Sequence, residues 1–429
     1  MSFCSEEINN EINYIGFNQD SKVIAVGHKR GYMFYKTSDI LENSTLSHEG
    51  ESLPRPVETD DPTSRNTNSL PCLGLSNLLI VERLFSSSLI VVVAEKDPRV
   101  LRLYNFTERN IIVDHRMSKS ILAVKLNEQR IVICLESTIH IYSLKDVKVL
   151  HTIMETPSNK LGLIDMTTKS GTALIAYPGN AGVGSVNLFD AITLLHVNTF
   201  VAHEGCLACV KFNQEGTMLA TASTRGTVIR VFSVPSGNNL FEFRRGVSRC
   251  VTIFSLCFSA DSKFLASSSN TETVHVFKLD SAVKNAQETE ASSESTSWFD
   301  SINKTIAAYM PTQMLPFSGY MTPERSFATA KLPGSSRSNQ VSLITHEKQQ
   351  FVMVATSDGF VYTYRLIPEG GELDLIKQHR IGPDGDSSSG SGTATEISEL
   401  ANDIDNMACS DPVPEDLTDD CPPMSHASY

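Results

Sequence analysis

The chain has 429 residues, a net charge of −13 and 41% hydrophobic residues, a length that admits two or three average domains or one regular all-β architecture. Eleven Asp and Glu with no Lys or Arg lie beyond residue 380 and account for all but two of the net negative charges, so the remainder is nearly neutral, which excludes a nucleic-acid binder with a broad basic face. The nine cysteines are odd in number and lack framework spacing, and the opening MSFCSEEINN has no basic, apolar leader. A reducing, cytoplasmic setting is therefore expected. No run reaches the roughly 18 apolar residues needed to span a bilayer, so any membrane contact is expected to be peripheral.

In chain order, seven segments end in an apolar–x–apolar–aromatic pattern: YMFY at Tyr35, VLRLY at Tyr104, IHIY at Tyr142, VNLF at Phe189, IRVF at Phe232, VHVF at Phe277 and VYTY at Tyr364. Each follows a second apolar strand and a turn, as in VIAVGHKRG, LATASTRG and LASSSNTE. The aromatics are 69, 38, 47, 43, 45 and 87 residues apart, and four of these intervals fall near the ~40–45 residues of a four-stranded propeller blade. The expected fold is all-β: a seven-bladed, WD40-like β-propeller over residues 1–382.

The two long intervals hold insertions. Residues 42–76 are rich in Ser, Pro, Asn and acid, and are expected to be a mobile loop. Residues 280–332 begin polar and then read SWFDSINKTIAAYMPTQMLPFSGY. On a helix over about 297–310, Trp298, Phe299, Ile302, Ile306, Tyr309 and Met310 form one face. Ser297 and Asp300 give an N-cap pattern, and Pro311 stops the helix. Such a helix either docks on the propeller flank or lies in a membrane interface. Residues 383–429 are acidic, rich in Ser and Gly and poor in aromatics, and are expected to be disordered.

Phe243-Arg244-Arg245-Gly246 closes a strand-like run from Asn239. On extended backbone, successive side chains point to opposite faces, so the two arginines serve two different ligands more readily than one. The guanidinium fork pairs with phosphate or carboxylate, which suggests two anion sites back to back. The preceding repeat supplies His203, Thr221, Ser223, Gly226, Thr227 and Arg230, and the following one Ser269, Thr273 and His275. Hydroxyls, imidazole and arginine suit a sugar phosphate.

Other patterns carry less. His203-x-x-Cys206-x-x-Cys209 has the wrong alternation for one zinc site on a strand and lacks a second ligand pair. Gly179-Asn180-Ala181-Gly182-Val183-Gly184 opens no helix and reads as a hairpin turn. With no Ser–His–Asp order, nucleophile elbow or Walker sequence, no catalytic constellation, metal or cofactor is expected.

FRRG within the flanks ATASTRGTVIRVFS and SSSNTETVHVFKL resembles the PROPPIN family, β-propellers that bind polyphosphoinositides, and in particular its animal WIPI branch, which acts in autophagy. The likeness runs from about Ile12 to Gly382 and includes VERLFSSSL, SILAVKLN, KVLHTI, RSFATAKLP and EGGELDLIKQHR. It implies two phosphoinositide sites on the rim around blades five and six. The first would use Arg244 with His203, Ser223, Thr227 and Arg230; the second would use Arg245 with Ser269, Thr273 and His275. The implied ligands are phosphatidylinositol 3-phosphate and phosphatidylinositol 3,5-bisphosphate, and the 280–332 insertion would be the blade-six loop that enters the bilayer. The resemblance thus implies a non-enzymatic effector, peripheral on phagophore (preautophagosomal) and endosomal membranes, that recruits autophagy factors, either the conjugation machinery or lipid-transfer factors. A propeller scaffold that binds proteins and ignores lipid is the alternative. In WIPI-like chains those partners dock on a basic cleft near blades two and three; here Asn127-Glu128-Gln129-Arg130 puts an acid in that region, although Lys119, Arg130 and Lys148 remain basic.

Overall fold

Runs such as VIAVGH (Val23–His28) are buried at every position, whereas Asn110–Arg116 alternates exposed and half-buried. The difference marks where each strand lies. A strand sandwiched between two neighbouring sheets must be apolar on both faces, while an outer strand needs only one covered face. The computed structural model describes residues 12–43, 45–52, 75–180, 182–245, 250–280 and 325–383. They form seven antiparallel four-stranded sheets, the sixth extended by one parallel strand, arranged as a seven-bladed β-propeller. The first strand of each blade borders a central cavity of about 390 Å³, into which Glu82, Lys125, Asp165 and Lys211 project polar groups. Each aromatic that marks the repeat lies near the end of the third strand of its blade.

The core is divided rather than continuous. Seven clusters of buried side chains occupy the seven blade-to-blade interfaces. Between blades five and six, Ile229, Val231 and Phe243 meet Leu256, Leu265 and Phe277. The rings of Phe243 and Phe277 stack with centroids 4.8 Å apart.

Among the described residues, blades one and seven exchange no strand. Their seam closes through Ile12 and Ile15 packing with Met353, Ala355, Val361 and Ile381. It is also bonded: the Gly382 N–H donates to the Tyr35 hydroxyl at 2.9 Å, and the His379 Nε2 lies 3.2 Å from the Ile40 carbonyl oxygen. Blades six and seven share backbone more directly. Gly371–Leu373, from the connection between the last two strands of blade seven, pairs in parallel with Ala328–Lys331, the outer strand of blade six.

Both insertions are shorter than their sequence suggests. Thr37–Glu42 forms a short helix, and Glu49–Ser52 pairs with Gly31–Phe34 as the outer strand of blade one. The tetrapeptide EGES has no apolar pattern, so partner pairing rather than intrinsic preference makes it a strand. Gly50, at φ +141°, fits because a Cβ there would collide with the Tyr32 carbonyl oxygen. Likewise Ala328–Lys331, inside the second expected insertion, completes blade six. Residues 53–74, the segment 281–324 with Trp298, Phe299, Ile302, Ile306, Tyr309 and Met310, and the tail from 384 lie outside the described residues.

Phe243 is 1% exposed, so Phe243→Ala removes a ring from a packed interface. We expect it to cost about 3–5 kcal/mol in urea unfolding. A loss below about 1 kcal/mol would mean that the blade-five/blade-six interface contributes little to the fold.

Candidate functional site: the rim of blades four, five and six

The outer strand of blade five, Asn239–Arg244, is set by its antiparallel pairing with Val228–Ser233, in which Ile229 lies opposite Phe243, Arg230 opposite Glu242 and Val228 opposite Arg244. Because Phe243 is committed to blade six, alternation turns Glu242 and Arg244 to the other face, toward blade four. The contacts agree. Arg230 Nε donates to Glu242 Oε2 at 2.8 Å, and its Nη1 donates to the carbonyl oxygen of Ala202, in the outer strand of blade four, at 2.7 Å. Arg244 on this face is exposed.

Arg245 returns to the blade-six side. Its backbone N–H donates to the Thr227 carbonyl at 3.0 Å. Its Nη2 donates to Ser269 Oγ at 2.7 Å and also to Thr271 Oγ1. The consecutive arginines therefore lie on opposite faces of the strand end.

The blade-four side gathers His203, Thr221, Arg230, Glu242 and Arg244. His203 Nε2 lies 2.9 Å from Thr221 Oγ1. Burial first, and then the Arg230 charge, lower the His203 pKa to about 4. Ser223 is buried at the end of its strand, and its carbonyl accepts the Gly226 N–H at 2.9 Å in the turn that leads to half-buried Thr227. Gly226 has φ +62°, and a Cβ there would strike the Val251 carbonyl oxygen, so the turn needs glycine.

The blade-six side gathers Arg245, Ser267, Ser269, Thr271, Thr273 and His275. Ser267 lies opposite His275 in the ladder, which puts both on the face that carries Ser269. Burial and then the Arg245 charge lower the His275 pKa to about 4. Burial also lowers the pKa of Arg245, whose hydrogen-bond partners are hydroxyls. Three buried polar atoms here, Arg245 Nε, His275 Nδ1 and Ser267 Oγ, have no hydrogen-bond partner among the described residues. Unsatisfied donors beside a half-buried cation favour an incoming anion, because its oxygens would remove their desolvation cost.

Thr271 and Glu242 were not among the sequence candidates. Thr271 falls on the turn two residues beyond Ser269. Glu242 becomes visible only when FEFRR is laid antiparallel to VIRVF, which sets it opposite Arg230. Gly246 lies outside the described residues.

Elsewhere, the His203–Cys209 pattern is divided, since Cys209 sits in the innermost strand of blade five and borders the central cavity. Gly179 and Gly184 sit at the facing ends of two paired strands, and the Gly179 N–H donates to the Ser185 carbonyl at 2.9 Å. Asn127-Glu128-Gln129-Arg130 is the turn between the first two strands of blade three. Asn127 Oδ1 accepts the Gln129 and Arg130 N–H groups at 2.9 and 2.8 Å, while Arg130 Nε donates to the Ala191 carbonyl at 2.7 Å. Arg130 is thus tied to blade four.

The fold and rim together define a seven-bladed propeller with two side-chain clusters, each combining arginine, histidine and hydroxyl groups, on either side of one outer strand. The PROPPIN family model matches residues 67–382, and the chain belongs to the PROPPIN family. It is 63% identical over 431 residues to Autophagy-related protein 18 of Caenorhabditis elegans, covering 99% of this chain and 98% of that protein. It is 42% identical over 375 residues to WD repeat domain phosphoinositide-interacting protein 2 of Mus musculus, covering 86% of this chain and 77% of the relative. Among solved structures, KlAtg21 in complex with the coiled-coil of AgAtg16 aligns with a TM-score of 0.64 at 21% identity, over 87% of this chain and 100% of that one. Kluyveromyces lactis Hsv2 aligns with a TM-score of 0.62 at 18% identity, over 86% and 99%. At that identity the two structures speak for the fold.

Both histidines titrate far below their ordinary range of about 6.5, so the folded state holds fewer protons than the unfolded chain between about pH 6.5 and about pH 4. Their contribution to stability is complete above pH 6.5 and is lost as pH falls through that window. The melting temperature is expected to drop from pH 7 to pH 4.5, and His203→Gln should flatten the slope. An unchanged slope in His203→Gln would show that this imidazole is not held neutral by its site.

Proposed function

We propose that this chain is a phosphoinositide effector of autophagy. It binds phosphatidylinositol 3-phosphate and phosphatidylinositol 3,5-bisphosphate at two rim sites, sits peripherally on autophagic and endosomal membranes, and recruits autophagy proteins there. Its role is recognition rather than catalysis. The observation that carries this reading is the division of Arg244 and Arg245 between opposite faces of one strand end: Arg245 is bonded to Ser269 and close to His275 on the blade-six side, while Arg244 shares the blade-four face with Arg230, the arginine close to the His203–Thr221 pair. The names of the relatives point the same way: one is an autophagy-related protein, the other phosphoinositide-interacting.

A phosphate monoester has several acceptor oxygens and no donor to spare once ionised. Arg245 and the Ser269, Thr271 and Thr273 hydroxyls can satisfy it on the blade-six side. Arg244, Thr227 and Ser223 do so on the blade-four side, with Arg230 and His203 behind them. Neutral His203 and His275 offer a ring N–H to the ligand without a standing charge. In this reading Trp298, Phe299, Ile302, Ile306, Tyr309 and Met310 enter the bilayer, at roughly 1.5–3 kcal/mol for each large side chain buried. Two headgroup sites and one apolar segment acting on one surface multiply modest affinities through effective concentration. Protein partners of coiled-coil type fit the class, since the structurally similar KlAtg21 binds the coiled-coil of AgAtg16.

The test is co-sedimentation with vesicles, with and without phosphatidylinositol 3-phosphate, at one salt concentration. The variant Arg244→Thr/Arg245→Thr should melt cooperatively near wild type and lose about tenfold or more in binding, as expected for the removal of charge-assisted pairs. Lipid-independent behaviour of the wild type, or equal binding by both proteins, would favour the lipid-blind scaffold instead.

A further inference from the structure

We infer that the two rim sites are unequal, and that Lys331 equips the blade-six site for the more highly phosphorylated headgroup. The inference rests on the phosphoinositide reading above and concerns which site takes which ligand.

The argument comes from register. In blade five, Arg230 lies between Thr221 and Glu242, and Arg244 lies opposite Val228. In blade six, His275 lies between Ser267 and Thr329, and Lys331 lies opposite Thr273. Directly opposed residues share a face of the sheet. Lys331 therefore occupies in blade six the place that Arg244 holds in blade five, and Thr329 the place of Glu242. Thr273 and His275 share their face with Ser267 and Ser269, the latter hydrogen-bonded to Arg245. Lys331 is exposed at the outer edge of this same face, while Arg245 is half-buried deeper in it.

The charges on the two faces then differ. The blade-five face carries Arg230, Arg244 and the Glu242 carboxylate, which is already bonded to Arg230 at 2.8 Å. A phosphate arriving there must compete with Glu242 for one of its two guanidinium groups. On the blade-six face a threonine stands where the carboxylate would be, so Arg245 and Lys331 are both available to anions. Among the described residues Lys331 makes no ion pair, and Glu272, whose backbone carbonyl accepts the Leu332 N–H next to Lys331, sits exposed in the turn before Thr273. Arg245 supplies a fixed fork, and Lys331 a mobile ammonium that can follow a second phosphate around the inositol ring. An inositol ring with two free phosphates needs two such cations; a ring with one does not.

Single-site backgrounds separate the contributions: Arg244→Thr keeps the blade-six site and Arg245→Thr keeps the blade-five site. Binding is measured to vesicles containing phosphatidylinositol 3-phosphate or the 3,5-bisphosphate, and in parallel to soluble inositol 1,3-bisphosphate and inositol 1,3,5-trisphosphate. The ratio favouring the more phosphorylated ligand should be higher in the Arg244→Thr background. Adding Lys331→Thr there should lower affinity for the more phosphorylated ligand about tenfold and for the other less than about threefold, with Lys331→Arg restoring both. Equal losses on both ligands, no loss, or a difference seen on vesicles and absent with soluble headgroups would overturn the assignment of Lys331, since the last would reduce it to a general attraction for anionic membranes. Failure of the wild type to bind either lipid would instead overturn the phosphoinositide reading itself.

Discussion

The rim depends on the register of one hairpin. Val228–Ser233 against Asn239–Arg244 fixes which of four consecutive side chains, Glu242 to Arg245, face blade four and which face blade six. The register is held by Phe243, because a buried aromatic stacked on Phe277 cannot be turned outward without emptying an interface. Slippage by one residue would exchange the two faces, sending Arg244 into the apolar layer and Phe243 into water. The functional arrangement is thus enforced by an apolar contact that touches no ligand.

A closed ring of blades makes that enforcement rigid. Each interface has its own cluster of buried side chains, so every blade is held from two sides, and an outer strand such as Asn239–Arg244 inherits the order of strands packed beneath it. Polar side chains can then be left unpartnered where a ligand would meet them. His203 and His275 illustrate the balance. Both are buried enough to stay neutral at ordinary pH, yet each stands beside an arginine. Burial is the larger cause of their neutrality, and the neighbouring guanidinium adds to it.

Much of this was legible in the sequence because the repeat carries its own markers. The third-strand aromatics from Tyr35 to Tyr364 recur at blade spacing, and each sits where the pattern placed it. Alternation alone separated Arg244 from Arg245, since period-two geometry follows from strand character. What escaped was set by pairing across strands rather than along one. Glu242 shows its role only opposite Arg230, and Thr271 only once Arg245 folds back over the Ser269 turn. Glu49–Ser52 was hidden in the same way: its polar, glycine-containing sequence has no strand signature, and it is a strand because Gly31–Phe34 offers it an edge. Ala328–Lys331 completes a blade although it reads as part of an insertion, because a polar stretch beginning at residue 280 masks where the repeat resumes.

The parallel pairing of Gly371–Leu373 with Ala328–Lys331 has a mechanical side. Without it, the strand on which the chain re-enters blade six would be a free edge, and a pull along the chain could peel it away one hydrogen bond at a time. With a backbone neighbour on each side, the same pull must break bonds to two ladders at once instead of one. Tension entering at residue 325 is therefore shared between blade six and the last connection of blade seven, next to the seam where the ring closes. The point at which the long insertion rejoins the propeller is built as an anchorage, spreading load into the closed ring instead of concentrating it on one exposed strand.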